Sequence, residues 1–450
     1  MSQEECVRVA VFGHYGIRNL GDEAIVESVI GNLRSRGAKI VCVSLNPQDS
    51  RERYGVDAFP IRYRSDYFHP KAPDHRLTIE SDGAASASAR VKAVLKSLPL
   101  LGTGLRALGR ARRTVQWLRW EVRFLRSARQ RLADIDLLLV AGSNQFGDDF
   151  GASWGFPYTL LKWTLLAQST GPRVAFVSVG AGPLDYRMSV RMLRLALKRA
   201  DFISYRDEQS KALIESWIPV TGEVYPDLAH SLKAGPARVR GRSEQRLMVG
   251  VNPFALFDRR YHNAWADETK YADYVRKLAG FCAHLIGCGH RVVLFSTQFK
   301  DELVLDDIRD STAAQLAREH RGDLAVAKSQ EVQELMGVIG QCDIVVATRF
   351  HAAVLPLQLH KPVLGISYHP KTTSLLDAAG LHGSYVSMHS FEEQELVRKF
   401  EALVERYRRG DLELAAHTRR NQAQLDEQYR RILDLARPEP AVPHTPGQYV

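Results

Sequence analysis

The stretch CDIVVATRFHAAVLPLQLHKPVLGISYHPK, residues 342–371, holds a Val/Ile run ending at Thr348, a helix expected to start near Ala352, and a second apolar run ending at Ser367. Two short continuous apolar runs joined by an amphipathic helix are what parallel strands covered on both faces by helices require. The same alternation extends outward along the chain. Strand candidates are VRVAVF (7–12), KIVCVSL (39–45), DLLLVAG (136–142), RVAFVSVG (173–180) and DFISY (201–205), then LMVGVNP (247–253), RVVLFST (291–297), LAVAK (324–328), DIVVAT (343–348) and PVLGIS (362–367).

The pattern predicts an α/β protein of two doubly wound Rossmann-like domains. Between the two sets lies HSLKAGPARVRGRSEQR (230–246), where Gly, Pro and charge replace any period, so the expected domains are 1–235 and 236–390. A charged helical segment over 391–436 and a Pro-rich frayed tail over 437–450 follow. Residues 64–131 form an expected insertion in the first domain, polar at its start and basic at its end.

The chain has 450 residues, 45% of them hydrophobic, and a formal charge of +10. That charge is local. Residues 86–131 carry twelve Lys or Arg against one acid, Glu121, and the rest of the chain is nearly balanced. The body of the protein therefore gives no support to nucleic-acid binding. Within the basic segment, Trp117, Trp120, Phe124 and Leu125 interleave with arginines, which predicts a membrane-surface helix over 105–131 that meets an anionic membrane. A helix packing these aromatics on its own domain is the alternative. Five cysteines stand singly with no paired spacing, as buried thiols of a reducing compartment would. With no signal-like N-terminus and no long apolar run, a cytoplasmic location is expected, peripheral at the inner face of a membrane if the basic helix binds there.

Open α/β sheets bind ligands at the carboxyl ends of their strands. There the chain places Arg349 and His351 after DIVVAT, Tyr368, His369 and Lys371 after PVLGIS, and Arg206 with Asp207 after DFISY. Arginine offers carboxylate or phosphate a two-pronged hydrogen bond, and a helix N-terminus adds free N–H groups. Arg349 paired with a local acid and His351 as a helix cap are the alternatives. The turns AGSNQFGDD (141–149) and GAGPLD (180–185) set small residues where a substrate could approach closely. Asp148 and Asp149 lack a partner at metal-ligand spacing, so no metal is expected. No phosphate-binding loop or dinucleotide fingerprint appears, and no cofactor is expected.

In GHYGIRNLGDEAI (13–25), "SYRDEQS" (204–210) and ATRFHAAVLPLQLHKPVLGISYHPK (347–371), taken in this order, the chain resembles the polysaccharide pyruvyl transferase family over roughly residues 7–380. The family's glycine-rich GGG turn is here AGSNQ, a departure from its pattern. The resemblance implies a GT-B-like fold whose two domains face each other across a cleft. It also implies transfer of the enolpyruvyl unit of phosphoenolpyruvate, a donor substrate, onto two hydroxyls of a sugar in a polysaccharide precursor, such as a lipid-linked oligosaccharide. Arg206, Arg349 and His351 would hold the donor, Lys371 would assist, and Asp22 would be the acid. His351 is equally suited to act as base toward the acceptor hydroxyl. Asn19 and Tyr368 complete the expected binding set.

Without the resemblance, Asp22 reads as a helix-start carboxylate three residues after an Asn19 cap. Two other functions fit the same architecture: a GT-B glycosyltransferase with a nucleotide-sugar donor, and a non-catalytic membrane-associated binding protein built on the basic segment.

Overall fold

The computed structural model describes residues 6–63, 99–149, 151–233, 235, 245–261 and 265–437. The tail over 437–450 falls outside this set beyond Arg437, as do most of the predicted linker and the first part of the insertion.

Two parallel sheets organise the chain. In the first, β1 (Arg8–Phe12), β2 (Lys39–Ser44), β3 (Asp57–Pro60), β4 (Leu137–Ala141), β5 (Arg173–Val179), β6 (Phe202–Tyr205) and β7 (Glu223–Val224) run in the order β3-β2-β1-β4-β5-β6-β7. In the second, β8 (Met248–Asn252), β9 (Arg291–Phe295), β10 (Leu324–Ala327), β11 (Ile344–Ala347), β12 (Val363–Ser367) and β13 (Tyr385–Ser387) run β10-β9-β8-β11-β12-β13. Every pairing within both sheets is parallel, for example Val9 beside Leu137 and Ile344 beside Val249. Strand order reverses between β1 and β4 and again between β8 and β11, and such reversals open the crevices in which doubly wound sheets bind ligands. Two doubly wound domains meeting across a cleft make a GT-B-like fold.

All ten predicted strands are present. The three the sequence did not announce, β3, β7 and β13, are short and lie at sheet edges, where one neighbour is missing and a long apolar run is not required. The helix predicted near Ala352 begins at Phe350, with Arg349 as its extended N-cap, because Phe350 is drawn into the buried interior.

The C-terminal segment is two helices, Glu393–Arg409 and Leu414–Ala436, broken at Gly410, whose φ of 81° is left-handed. The second helix ties both domains: Thr418 Oγ1 donates to Leu357 O at 2.9 Å, and Gln428 Nε2 donates to Ser204 Oγ at 2.8 Å. At the cleft itself, Leu20 N donates to Thr297 O at 2.8 Å and Asn19 bridges Gln298 in antiparallel fashion. The domains are therefore latched by backbone at the entrance to the helix Leu20–Ser35.

In the helix Pro99–Leu132 the four apolar side chains named for a membrane surface take the alternative arrangement, against their own domain. The aromatics assigned to lipid pack on the first domain. Phe124 is buried with its ring 6.0 Å from that of Trp163, Trp120 stacks on Tyr63 at 5.6 Å, Trp117 meets Trp154 at 6.1 Å, and Leu125 is half-buried against the same core. A buried Glu121 on this helix accepts from Lys162 Nζ at 2.9 Å and Tyr158 Oη at 3.0 Å, which fixes the packed face. Among the described residues no helix is long and apolar enough to cross a membrane. The cysteines also differ from expectation: Cys42, Cys282 and Cys342 are buried, but Cys6 and Cys288 are exposed, and all five are free thiols.

Candidate active site

The turn after β1 bears the acids that a phosphate cradle would lack, and the two acids do different jobs. Glu23 is fully buried; it accepts from Gly16 N at 2.8 Å and from Tyr54 Oη, and so holds the glycine turn in shape. Asp22 faces the cleft. Asn19 caps the helix by accepting from Gly21 N at 3.3 Å, and its Nδ2 donates to Asp22 Oδ2 at 2.6 Å. His14 Nδ1 lies 3.5 Å from the same oxygen. Burial alone would raise the pKa of Asp22, but the His14 hydrogen bond and charge, the charge of His351 and a bond from Ser143 outweigh it and hold the carboxyl below its usual range. At neutral pH Asp22 is therefore an ionised carboxylate.

Opposite it, the second domain presents the N-termini of the helices Phe350–Gln358 and Pro370–Ala378. Three cations lie on a row of three rings. The Arg349 guanidinium sits 4.1 Å from the Phe254 ring centre, Phe254 packs on Tyr368 at 4.9 Å, Lys371 Nζ lies 5.8 Å from Tyr368 and 5.5 Å from Phe350, and Arg206 of the first domain lies 4.8 Å from Phe350. An aromatic face holds a cation without consuming its N–H donors.

Each cation has a different electrostatic partner. Arg349 donates through Nε and Nη2 to Asp301, a fully buried carboxylate, the Nη2 bond being 2.9 Å. This is the local acid that the sequence left as an alternative. Arg206 is shared among Asn144 Oδ1 at 3.2 Å, Asp207 at 3.4 Å and Asp227 at 3.5 Å. Lys371 has no carboxylate within ion-pair distance among the described residues. Its removal from water and the neighbouring Arg206 charge lower its ammonium pKa to about 7, against the opposing pull of Asp207, Asp22 and Asp227. His369 caps its own helix, accepting from Lys371 N at 3.3 Å, and burial with the Lys371 and Arg206 charges lowers its pKa.

His351 occupies the first turn of its helix, with Nε2 buried and 3.7 Å from Asp227 Oδ2. That separation suits an ion pair but exceeds a hydrogen bond, and neither atom has a hydrogen-bond partner among the described residues. Asp227 is buried; despite that burial, His351, Arg206 and the Ala229 N–H hold its carboxyl far below the usual range. Behind it lies His230, 2% exposed, whose ring stands 5.7 Å from that of His417. Burial, opposed by Asp227 and assisted by His417 and His351, pushes the His230 pKa down to about 4.

All seven predicted residues, Asp22, Asn19, Arg206, Arg349, His351, Tyr368 and Lys371, thus face or border one cleft. Sequence reasoning missed Asp227, Asp301, His14 and Asn144. Asp227 follows β7, a strand of two residues that leaves no hydrophobic signature. The glycine turns expected to admit substrate are filled by the protein itself: a Cβ on Gly180 would lie 2.6 Å from the Arg206 guanidinium, so that glycine makes room for the arginine. Asp148 is a structural acceptor for Asp185 N at 3.2 Å and Tyr186 N at 3.1 Å. No group of three metal-ligating side chains occurs among the described residues.

Comparison with solved structures finds the same fold in sugar-nucleotide enzymes. The UDP-GlcNAc 2-epimerase of Neisseria meningitidis bound to UDP-GlcNAc is 10% identical with a TM-score of 0.54, over 95% of this chain and 99% of the other. The UDP-GlcNAc 2-epimerase of Methanocaldococcus jannaschii is also 10% identical, with a TM-score of 0.52 and the same coverage. At that identity the likeness concerns fold alone. The family model for polysaccharide pyruvyl transferase matches residues 19–370, a span that runs from the Asn19 cap through Arg206 and Arg349 to Pro370, the first residue of the last site helix and the one before Lys371, and the chain belongs to that family.

Proposed function

We propose that this transferase uses phosphoenolpyruvate as donor and places its enolpyruvyl carbon on two hydroxyls of a sugar in a polysaccharide precursor, forming a pyruvate ketal. The observation that carries the reading is the row of Arg349, Lys371 and Arg206 on Phe254, Tyr368 and Phe350, which gathers cations from both domains beside two helix N-termini. Phosphoenolpyruvate carries about three negative charges, divided between a carboxylate and a phosphate, and fixed guanidinium groups neutralise such charges without exchanging protons.

In this scheme Arg206 and Arg349, the latter oriented by Asp301, hold the two anionic ends. His351, with Asp227 behind its Nε2, accepts the proton of the attacking hydroxyl, as a histidine paired with a carboxylate is suited to do. Asn19 and Ser143 fix the Asp22 carboxylate at the opposite wall.

The test is thermal stabilisation of the full chain by phosphoenolpyruvate, followed by phosphate release in the presence of a panel of acceptor glycans. Stabilisation by phosphoenolpyruvate that Arg206→Ala removes is the expected result. Stabilisation by UDP-sugars and none by phosphoenolpyruvate would assign the cleft to a nucleotide-sugar donor.

A further inference from the structure

The donor's methylene carbon must receive a proton, and the group that supplies it must hold one when the donor is bound. Asp22, the residue the motif points to, takes a hydrogen bond from Asn19 at 2.6 Å and lies 3.5 Å from His14, contacts that favour its ionised form. Lys371 stands in the opposite situation. It lies at the first turn of the helix Pro370–Ala378, where the helix dipole disfavours a cation, and it is held between two rings with no ion pair among the described residues.

We propose that Lys371 takes up a proton as the anionic donor binds and delivers that proton to the donor's methylene carbon. The proposal rests on the phosphoenolpyruvate reading above. The groups that face Lys371 are Arg206 and Asp207 at the end of β6, Asp22 on the helix Leu20–Ser35, Asp227 before the turn Leu228–Ser231, Asp149 after β4, and His369 on its own turn. With its pKa near 7 the amine is only partly charged in the free protein at neutral pH. An added anion is the missing counter-charge, and it draws a proton onto the amine.

The proton balance closes. The ammonium of Lys371 gives its proton to the methylene carbon, leaving a neutral amine and a cationic centre at the adjacent carbon. The first sugar hydroxyl attacks that centre and gives its proton to His351. The carbon–oxygen bond to phosphate then breaks with its electron pair on phosphate, which takes the proton from His351. Attack by the second hydroxyl closes the ketal, and its proton returns to the Lys371 amine.

The experiment needs no acceptor. Calorimetric titration of the full chain with phosphoenolpyruvate, at about pH 8 in buffers of differing ionisation enthalpy, reads the protons taken up on binding. The wild type is expected to take up a large fraction of one proton, and Asp22→Asn is expected to retain that uptake. Lys371→Arg, which is always charged, is expected to bind with the uptake reduced to near zero, and Lys371→Met is expected to bind more weakly and likewise without it. Binding by the wild type with no uptake, or uptake kept in Lys371→Arg and lost in Asp22→Asn, overturns the assignment. Failure of the wild type to bind phosphoenolpyruvate at all overturns the donor reading itself. A melting curve on each variant separates these outcomes from misfolding.

Discussion

Gly21 of the first domain has no room for a side chain because His351 of the second occupies it: an added Cβ would lie 2.3 Å from His351 Nδ1 and 2.9 Å from its Cβ. The glycine two residues after the Asn19 cap is thus a contact between domains. It brings the acid-bearing helix start within reach of the cationic wall.

Gly21→Ala is expected to force the histidine away or the domains apart. Overpacking of this kind costs about 1–3 kcal/mol. Because the displaced ring is also the proposed base, turnover should fall by about 10². His351→Ala in the same chain should restore most of the stability but none of the turnover, since removing the ring removes the clash. Chemical denaturation and phosphate release on the two single variants and the double variant check this; additive stability losses would show that the two residues do not compete for one space.

Arg349 has a structural duty that must be separated from its proposed duty to the donor. Removing its guanidinium leaves the buried Asp301 carboxylate without its ion-pair partner, a loss of about 3–5 kcal/mol for a buried pair. Arg349→Ala is therefore expected to lose both stability and donor-induced stabilisation. Arg349→Ala with Asp301→Ala should recover much of the stability while still failing to respond to phosphoenolpyruvate. Recovery of the response in the double variant would leave Arg349 only its pairing with Asp301.

The legible part of the fold was its interior. Most of the ten predicted strands are runs buried by helices, and burial on both faces writes itself into the sequence as Val, Ile and Leu; β10, a half-buried edge strand, is the exception. The candidate cleft was legible for a related reason: ligands meet doubly wound sheets at strand ends, so Arg206, Arg349, His351 and Lys371 were marked by position as well as by charge. What stayed hidden was pairing across long separations. Asp301 lies 48 residues from Arg349 and on a different turn, and nothing local in KDELV distinguishes it from a solvated acid. The aromatics of the basic helix were open to two readings. Trp and Phe spaced along a helix suit a lipid surface or a protein surface equally, and only the presence of Trp163, Tyr63 and Trp154 opposite them decides the matter.

That decision is testable at Phe124. Its ring packs against Trp163 and under the Lys162 ammonium, which lies 4.6 Å from its centre. Phe124→Ala should leave a cavity beside a buried ion pair and cost about 3–5 kcal/mol. An equilibrium denaturation curve measures this loss directly. A stability within about 0.5 kcal/mol of wild type, the range of a surface substitution, would place the ring at the surface after all.

His230 ties the active site to acid stability. Its pKa is pushed from 6.5 in the unfolded chain to about 4 in the folded protein, chiefly by burial, with Asp227 opposing the shift. Between those two values the unfolded chain binds a proton that the native protein refuses. Stability must therefore fall as pH drops from 6.5 to about 4, with a slope approaching 1.4 kcal/mol per pH unit from this one group. Below about 4 both states carry the proton and the contribution levels off. His290, His360, His369 and His417, whose pKa values are also lowered, add to the same window, so the informative quantity is a difference. His230→Phe keeps a ring against His417 but cannot titrate. Denaturation free energies of wild type and variant across this window should converge as pH falls, the variant losing less stability per unit by about one proton's worth. Parallel curves would mean that His230 charges in the folded protein as readily as in the unfolded one.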